Sequence, residues 1–218
     1  MTQRIAIFGS GRVGTAMAAE MPGVPVIRRG EDYACDIACV CWPAQAIQDF
    51  VRVHPIAVLA TKVTFCNGVW ATEEGADHAG ICYVRAVHRG DVSDPRRKAW
   101  RVGDGPVAAA LKASGLGVVC SRVDHLGELW GKALYLLPLA LACADLGGLT
   151  GRAVTDKEEY AEWYDVVRCR AVEAIGEAAV ARREPRVRYL LERTPRGWSP
   201  SPSAEELAYF RKKLCAGS

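Results

Sequence analysis

Two groups of residues have the types and spacing to do chemistry. The first is Gly9-Ser10-Gly11-Arg12-Val13-Gly14, which directly follows the apolar run Ile5-Ala6-Ile7-Phe8 and leads into Thr15-Ala16-Met17-Ala18. This spacing suits a turn laid against a dinucleotide pyrophosphate. Gly9 permits the turn, Gly11 lets backbone approach the phosphates, and Gly14 lets the following helix pack closely on its strand. The new helix then turns its free N–H groups and positive dipole end toward the anion. The second is Lys132, the only charged side chain between Glu128 and Asp145. An ammonium beside apolar surface is costly to desolvate, so its presence points to a partner or a task. One task is to supply a proton and stabilise an oxyanion. The residues alone equally allow a lysine that snorkels to water or pairs with Glu128, four positions earlier.

The elements that must position these groups follow from the apolar pattern. Pro22 and Gly23 break the first helix, and Val24 to Ile27 reads as a second strand ending at Arg28-Arg29. A protein that binds NAD places an acidic residue near such a strand end to hold the ribose hydroxyls. Arginine there suits a 2′-phosphate instead, so NADP(H) is the expected cofactor. The plainer alternative is two solvated loop arginines, with Glu31 and Asp32 close behind.

Ile37 to Cys41 is a continuous apolar run of the kind buried on both faces of a parallel sheet. A helix is expected from Trp42-Pro43 to about Val53, then strands at Ile56–Ala60, Ile81–Val87, Ala99–Val102 and Gly117–Cys120, with a helical piece at Val107–Ala113. This alternation predicts an α/β domain over residues 1–122, a Rossmann-type doubly wound sheet with antiparallel character after residue 80.

From residue 123 to 218 the pattern predicts a small all-helical domain. His125 to Leu149 is one long apolar stretch, interrupted by Lys132, Pro138 and Asp145, and so reads as a buried helix kinked at Pro138 rather than a membrane span. Lys157 to Arg183 carries Tyr160, Trp163, Tyr164, Val167, Ala171, Ile175 and Ala178 at helical spacing. A polar Pro/Ser-rich segment at Thr194–Ser203 precedes a last helix at Ala204–Leu214.

Composition narrows the function classes. The chain of 218 residues is 50% hydrophobic and 24% charged, with a net charge of +3. That is ordinary for a globular protein and too little charge to argue for nucleic acid or membrane. Basic residues outnumber acidic ones after residue 182, but no recognisable nucleic-acid module accompanies them. The nine cysteines include no C-x-x-C pair. Cys35, Cys39 and Cys41 lie in or beside one apolar strand, where a reduced thiol behaves as a small hydrophobe, so no metal site is expected. Together with an opening that runs straight into a strand, this fits a reducing cytoplasm.

Taken in order, Gly9-Ser-Gly11-Arg-Val-Gly14, Arg28-Arg29, Asn67-Gly68 and Leu129-Trp130-Gly131-Lys132 resemble the ketopantoate reductase family, within the broader 6-phosphogluconate dehydrogenase-like group. Ala99-Trp-Arg-Val-Gly103 and Ala171-Val-Glu173-Ala-Ile-Gly-Glu-Ala178 are further echoes. The resemblance implies a two-domain NADPH-dependent reductase of a 2-oxo acid, with the small-molecule substrate held between the domains. Lys132 matches the family's proton donor, and Asn67 the asparagine beside the nicotinamide and the substrate.

Three departures accompany the resemblance. Leu136 stands where the family has a substrate-touching asparagine, and Ala140 occupies the next polar position. Val63-Thr64-Phe65 reads as an insertion before Asn67. The helical domain is short, leaving Ser199, Ser201 and Glu206 as loose counterparts of the family's closing substrate contacts. These departures disfavour a polyhydroxylated acid such as ketopantoate itself and leave a related 2-oxo acid, carbonyl or imine, with a bulkier, more apolar substrate suited to Leu136 as one alternative. They also leave open a second class, a non-catalytic NADP(H)-binding sensor or accessory protein that uses its helical domain as an interface. Apolar surface on a shortened helical domain makes a homodimer the expected assembly.

Overall fold

A computed structural model describes residues 3–66, 69–82, 100–120, 124–147, 149, 151–194, 200 and 202–216. The chain divides into two compact units, Met1–His125 and Leu126–Ser218, a division three residues beyond the expected one.

The first unit is built on a seven-stranded sheet. Its strands are β1 (Ile5–Phe8), β2 (Val26–Ile27), β3 (Ile37–Val40), β4 (Thr61–Thr64), β5 (His78–Cys82), β6 (Trp100–Val102) and β7 (Val118–Cys120), in the order β2-β1-β3-β4-β5-β6-β7. All neighbours pair in parallel except β5 and β6, which are antiparallel. The antiparallel turn of the sheet therefore comes where the sequence places it.

Alternation in β1 explains why the middle of the sheet is so apolar. Ile5 and Ile7 enter one core with Met17, Cys39, Val63, Trp100 and Leu111, while Ala6 and Phe8 enter the opposite core with Ala38, Val40 and Phe50. A strand covered on both faces has no position for a polar residue. Helix α1 (Arg12–Glu20) covers the first of these cores through Ala16 and Met17. At its far end the Glu20 carboxylate accepts the Trp100 indole N–H at 3.0 Å and the Gly117 amide at 3.3 Å, tying α1 to β6 and to the start of β7.

Two expectations in this unit are corrected. Residues 42–53 do not form one α-helix. Ala44–Asp49 is a 3₁₀ segment that leads into a single α-turn, α2 (Phe50–Val53). Ala44, Ile47 and Phe50 are the buried positions, a spacing of three that matches 3₁₀ rather than α geometry.

The expected strand at Ile56–Ala60 is a second 3₁₀ turn, Pro55–Leu59, with proline in its first turn. Ile56 and Leu59 are 60% and 94% exposed, so their hydrophobicity does not mark a core strand. The strand is Thr61–Thr64, and Val63-Thr64 are therefore part of β4 and not an insertion after it.

Helix α3 (Gly105–Ala113) starts at Asp104, whose carboxylate accepts the Val107 amide at 2.9 Å, and precedes β7. Of the expected strand at Ile81–Val87, residues 83–87 lie outside the described residues.

Among the described residues of the second unit every secondary-structure element is a helix. Its elements are α4 (His125–Asp145, whose first residue belongs to the first unit), α5 (Gly151–Val154), α6 (Glu158–Ile175), α7 (Glu177–Ala181), α8 (Glu184–Glu192) and α9 (Ala204–Cys215). By length and composition α4 could cross a membrane, but 72% of its apolar window is buried inside the protein, as in a core helix. Pro138 lies within it, and the helix continues through.

The long helix expected at Lys157–Arg183 breaks at Gly176, where φ is +81°. A further helix, α8, then begins with Pro185 in its first turn, where a missing N–H costs no helix bond. Arg168 joins these pieces through ion pairs to Glu177 and Glu184. Ser203 caps α9 by accepting the Glu206 amide at 3.2 Å.

Candidate functional site

The glycine turn follows directly from the sheet. Gly9 leaves β1 with φ +111°, and its amide donates to the Ile27 carbonyl at 3.0 Å. That bond continues the β1–β2 register, in which Phe8 lies opposite Ile27. The strand end bearing Arg28 and Arg29 is thus held next to the turn.

Gly14 packs so closely on the turn that a Cβ there would fall 1.9 Å from the Gly9 carbonyl oxygen. A Cβ on Gly11 would meet nothing within 4 Å. One glycine is required by packing inside the protein. The other faces open space, the arrangement needed when backbone must approach a ligand.

Gly11 is the N-cap of α1. No side chain caps the helix and no acidic residue stands in its first turn. The first amides of a helix have no intrahelical acceptors, so this end presents donors and partial positive charge. Thr15 braces the turn by donating its hydroxyl to the Ser10 carbonyl at 3.3 Å. Arg12 is exposed beside it, and Val13 packs into the core.

The strand end is equally ordered. Arg28-Arg29-Gly30-Glu31 forms a β-turn closed by the Glu31 amide on the Arg28 carbonyl at 3.1 Å, with Gly30 at φ +90° as a type II turn requires. The acidic residues that follow are engaged with backbone. Glu31 accepts the Arg28 amide at 2.9 Å, and Asp32 accepts the Tyr33 and Ile56 amides, each at 2.9 Å. Buried His54 donates from Nδ1 to the Glu31 carbonyl at 2.6 Å. The exposed charges at the turn's corner are the two arginines and Glu31, whose Oε2 is turned back onto the Arg28 amide.

Sequence reasoning missed the residue that links turn and corner. Trp42 follows β3, and its Cδ1 would lie 3.0 Å from a Cβ on Gly9. Its ring packs edge-on to Phe50 and tilted against His54, while the Arg29 guanidinium carbon stands 5.9 Å from its centroid. A tryptophan one residue beyond Cys41, at the carboxyl end of a strand beside the glycine turn, was the available signal.

Lys132 lies in α4 and is only 5% exposed. Leu136 is one helical turn further on, and Ala140 another, so the three share one helix face. Glu206 is buried in the first turn of α9, where its backbone completes the Ser203 cap. Asn67, Ser199 and Ser201 lie outside the described residues. The described cysteines are all free thiols, and among the described residues no group of His, Cys, Asp and Glu could hold a metal ion.

The turn, the uncapped helix end and the arginine corner fit a dinucleotide. Gly9 to Gly14 would hold its pyrophosphate.

No protein-family model and no curated protein matches the chain. Solved structures do. A dimeric ketopantoate reductase from Staphylococcus aureus is similar over 97% of this chain and 91% of its own, with 17% identity and a TM-score of 0.69. A ketopantoate reductase from Ralstonia eutropha JMP134 is similar over 94% of this chain and 85% of its own, with 21% identity and a TM-score of 0.68. A D-mandelate dehydrogenase solved with NADH is similar over 89% and 84% respectively, with 14% identity and a TM-score of 0.62. The chain accordingly has the fold of the ketopantoate reductases, and the resemblance carried by Gly9–Gly14 and Leu129–Lys132 is borne out at the level of fold.

Proposed function

We propose that this protein is an NADPH-dependent oxidoreductase that reduces the carbonyl of a 2-oxo acid, or a related carbonyl or imine, with Lys132 as proton donor. The observation that carries the reading is the arginine corner beside the glycine turn. Both nearby carboxylates, Glu31 and Asp32, accept backbone amides, while Arg28 and Arg29 face solvent. A 2′-phosphate matches two guanidinium groups, whereas a ribose diol would call for a carboxylate at the strand end, where this chain has Arg28 and Arg29. The fold supports the oxidoreductase class, since the similar structures are reductases and dehydrogenases.

When bound, the reduced nicotinamide supplies hydride. The protein's part is to hold the dinucleotide by the Gly9–Gly14 backbone and the arginine corner, and to hold a proton on Lys132 Nζ. Reduction of a carbonyl would place charge on its oxygen. An ammonium at that oxygen stabilises the charge and donates the proton. By the family resemblance alone, Asn67 would serve beside the nicotinamide and the substrate.

Leu136 and Ala140, on the face that carries Lys132, give an apolar wall in place of amides, which suits a substrate with an apolar side chain. The likeness to a D-mandelate dehydrogenase agrees with such a substrate. By analogy with the dimeric Staphylococcus aureus enzyme, the proposed assembly is a homodimer, working in the cytoplasm.

The test follows NADPH consumption by the purified protein with ketopantoate, a panel of 2-oxo acids bearing small, aliphatic and aromatic side chains, and a matching panel of imines. Turnover of an apolar member, lost in Lys132→Ala, supports the reading. Tight NADPH binding with no turnover across the carbonyl and imine panels would instead select the non-catalytic sensor. Failure to bind NADPH would overturn both.

A further inference from the structure

We infer that Trp42 sets the protein's preference for a phosphorylated dinucleotide, by positioning Arg29. The inference rests on the dinucleotide reading of the glycine turn and adds a residue to it. One side chain here reaches both parts of the site. On one side the indole lies against the bare backbone of Gly9, where any side chain would collide with Cδ1 and Nε1 at 3.0 and 3.3 Å. On the other it stands beneath the Arg29 guanidinium, 5.9 Å from carbon to centroid.

The indole has little freedom to move. Phe50 packs edge-on to it at 5.7 Å between centroids and His54 lies tilted at 5.3 Å. Phe50 is itself edge-on to Phe8, the last residue of β1. His54 also holds the corner from below by donating to the Glu31 carbonyl.

Arg29 needs such a support. It sits at the second position of an exposed turn, where a long side chain has many rotamers and loses them on binding a phosphate. A guanidinium over an indole face gains a cation–π attraction and enters binding already ordered. An ordered fork beside the ribose favours the cofactor that carries a 2′-phosphate and offers nothing to one that lacks it. Trp42 is thus a positioning residue that acts through Arg29.

The experiment measures NADPH and NADH dissociation constants by calorimetry for the full-length wild type, Trp42→Phe, Trp42→Leu, Arg29→Gln and the double variant Trp42→Leu/Arg29→Gln. Thermal melts confirm that each variant is folded. The expected result is NADPH binding about threefold to fivefold weaker in Trp42→Leu, the size of an exposed cation–π contact. NADH binding stays within about twofold, since it lacks the group that Arg29 reads. Trp42→Phe, which keeps an aromatic face, recovers most of the loss, and Trp42→Leu costs nothing further once Arg29 is glutamine.

Equal weakening of NADPH and NADH in both leucine and phenylalanine variants would overturn the inference, because Trp42 would then support the turn as a whole. Additive losses in the double variant would overturn it as well. Should a substitution unfold the protein, the Arg29→Gln preference and the Trp42→Phe ratio still decide the question. Failure is distinguishable from failure of the underlying reading: a wild type that binds neither dinucleotide defeats both, whereas one that binds NADPH with a preference indifferent to Trp42 defeats this inference alone.

Discussion

The Gly9 carbonyl oxygen stands where a side chain on Gly14 would have to begin, 1.9 Å from the ideal Cβ position. Neither partner can yield easily, because Gly9 is fixed by its bond to Ile27 and Gly14 by the helix on its strand. Gly14→Ala is therefore expected to destabilise the first unit by roughly 1–3 kcal/mol, the usual cost of forcing a group into a packed interior. A thermal melt of the apo protein checks this, and an unchanged midpoint would contradict the packing described.

Gly11 gives the opposite expectation. Its Cβ would meet nothing within 4 Å, and its φ of −73° suits any residue. Gly11→Ala should cost about 1 kcal/mol or less of stability, the difference between a glycine and an alanine N-cap. It should nevertheless weaken dinucleotide binding by roughly tenfold or more by holding the phosphates off the backbone. Calorimetric titration with NADPH beside a thermal melt separates the two quantities. Loss of stability with binding intact would reverse the roles assigned to Gly11 and Gly14.

How much of this was legible in the sequence depends on how local each signal is. Strand, turn and helix at Ile5–Glu20 were readable because an apolar run, three glycines and small helix formers follow one another without any distant contact. Thr61–Thr64 was not, because Ile56, Ala57, Val58, Leu59 and Ala60 offered a more apolar alternative, and only packing reveals that Leu59 faces solvent. The 3₁₀ stretch at Ala44–Asp49 hid behind a spacing that also occurs in α-helices. The roles of Glu31, Asp32 and Trp42 needed the third dimension: the amides of Arg28 and Ile56, and the Arg29 guanidinium, reach them through the folded corner. Lys132 stood out in the sequence as the one charge between Glu128 and Asp145, but only the fold shows that it is buried in α4.

The cysteines should divide sharply in reactivity. Burial pushes the Cys39 thiol up to about 12, and burial with the nearby Asp36 charge pushes Cys35 up to about 11, so neither supplies thiolate near neutral pH. Cys120, Cys169 and Cys215 are exposed. Iodoacetamide at pH 8 is expected to label these three first, with Cys35 and Cys39 reacting only on unfolding. Peptide mapping by mass spectrometry reads the order, and early alkylation of Cys39 would contradict the closed core around β3.

Lys62 and Asp77 make the acid response of the β4–β5 connection testable. Desolvation would raise the Asp77 carboxyl, but the Lys62 amide at 2.7 Å and ammonium at 2.9 Å together hold it below its ordinary value. A carboxyl depressed in the folded state contributes stability above its unfolded value of about 3.9, and that contribution disappears as pH falls through the folded value. Asp77→Asn should therefore lower stability at pH 7 by about 1 kcal/mol or less, consistent with a half-exposed pair. It should also flatten the loss of stability between about pH 5 and pH 2. Denaturant titrations across that range measure the slope, and an unchanged slope would remove Asp77 from the acid transition.

Lys132 and Leu136, one helical turn apart on α4, are expected to control different kinetic quantities. Lys132→Met keeps most of the buried aliphatic volume while removing the proton, so kcat should fall by about 10²–10⁴. NADPH affinity should stay unchanged, because the proposed cofactor contacts come from Gly9–Gly14 and Arg28–Arg29. Leu136→Asn should leave kcat within a few-fold. It should raise KM for apolar 2-oxo acids by roughly tenfold while lowering it for hydroxylated ones, since a buried amide rewards a polar substrate and penalises one that leaves it unpaired. Steady-state kinetics on matched apolar and hydroxylated substrates make the comparison. If Lys132→Met keeps full turnover, the lysine is a buried structural cation. If Leu136→Asn shifts both substrates equally, the face of α4 beyond Lys132 does not line the substrate site.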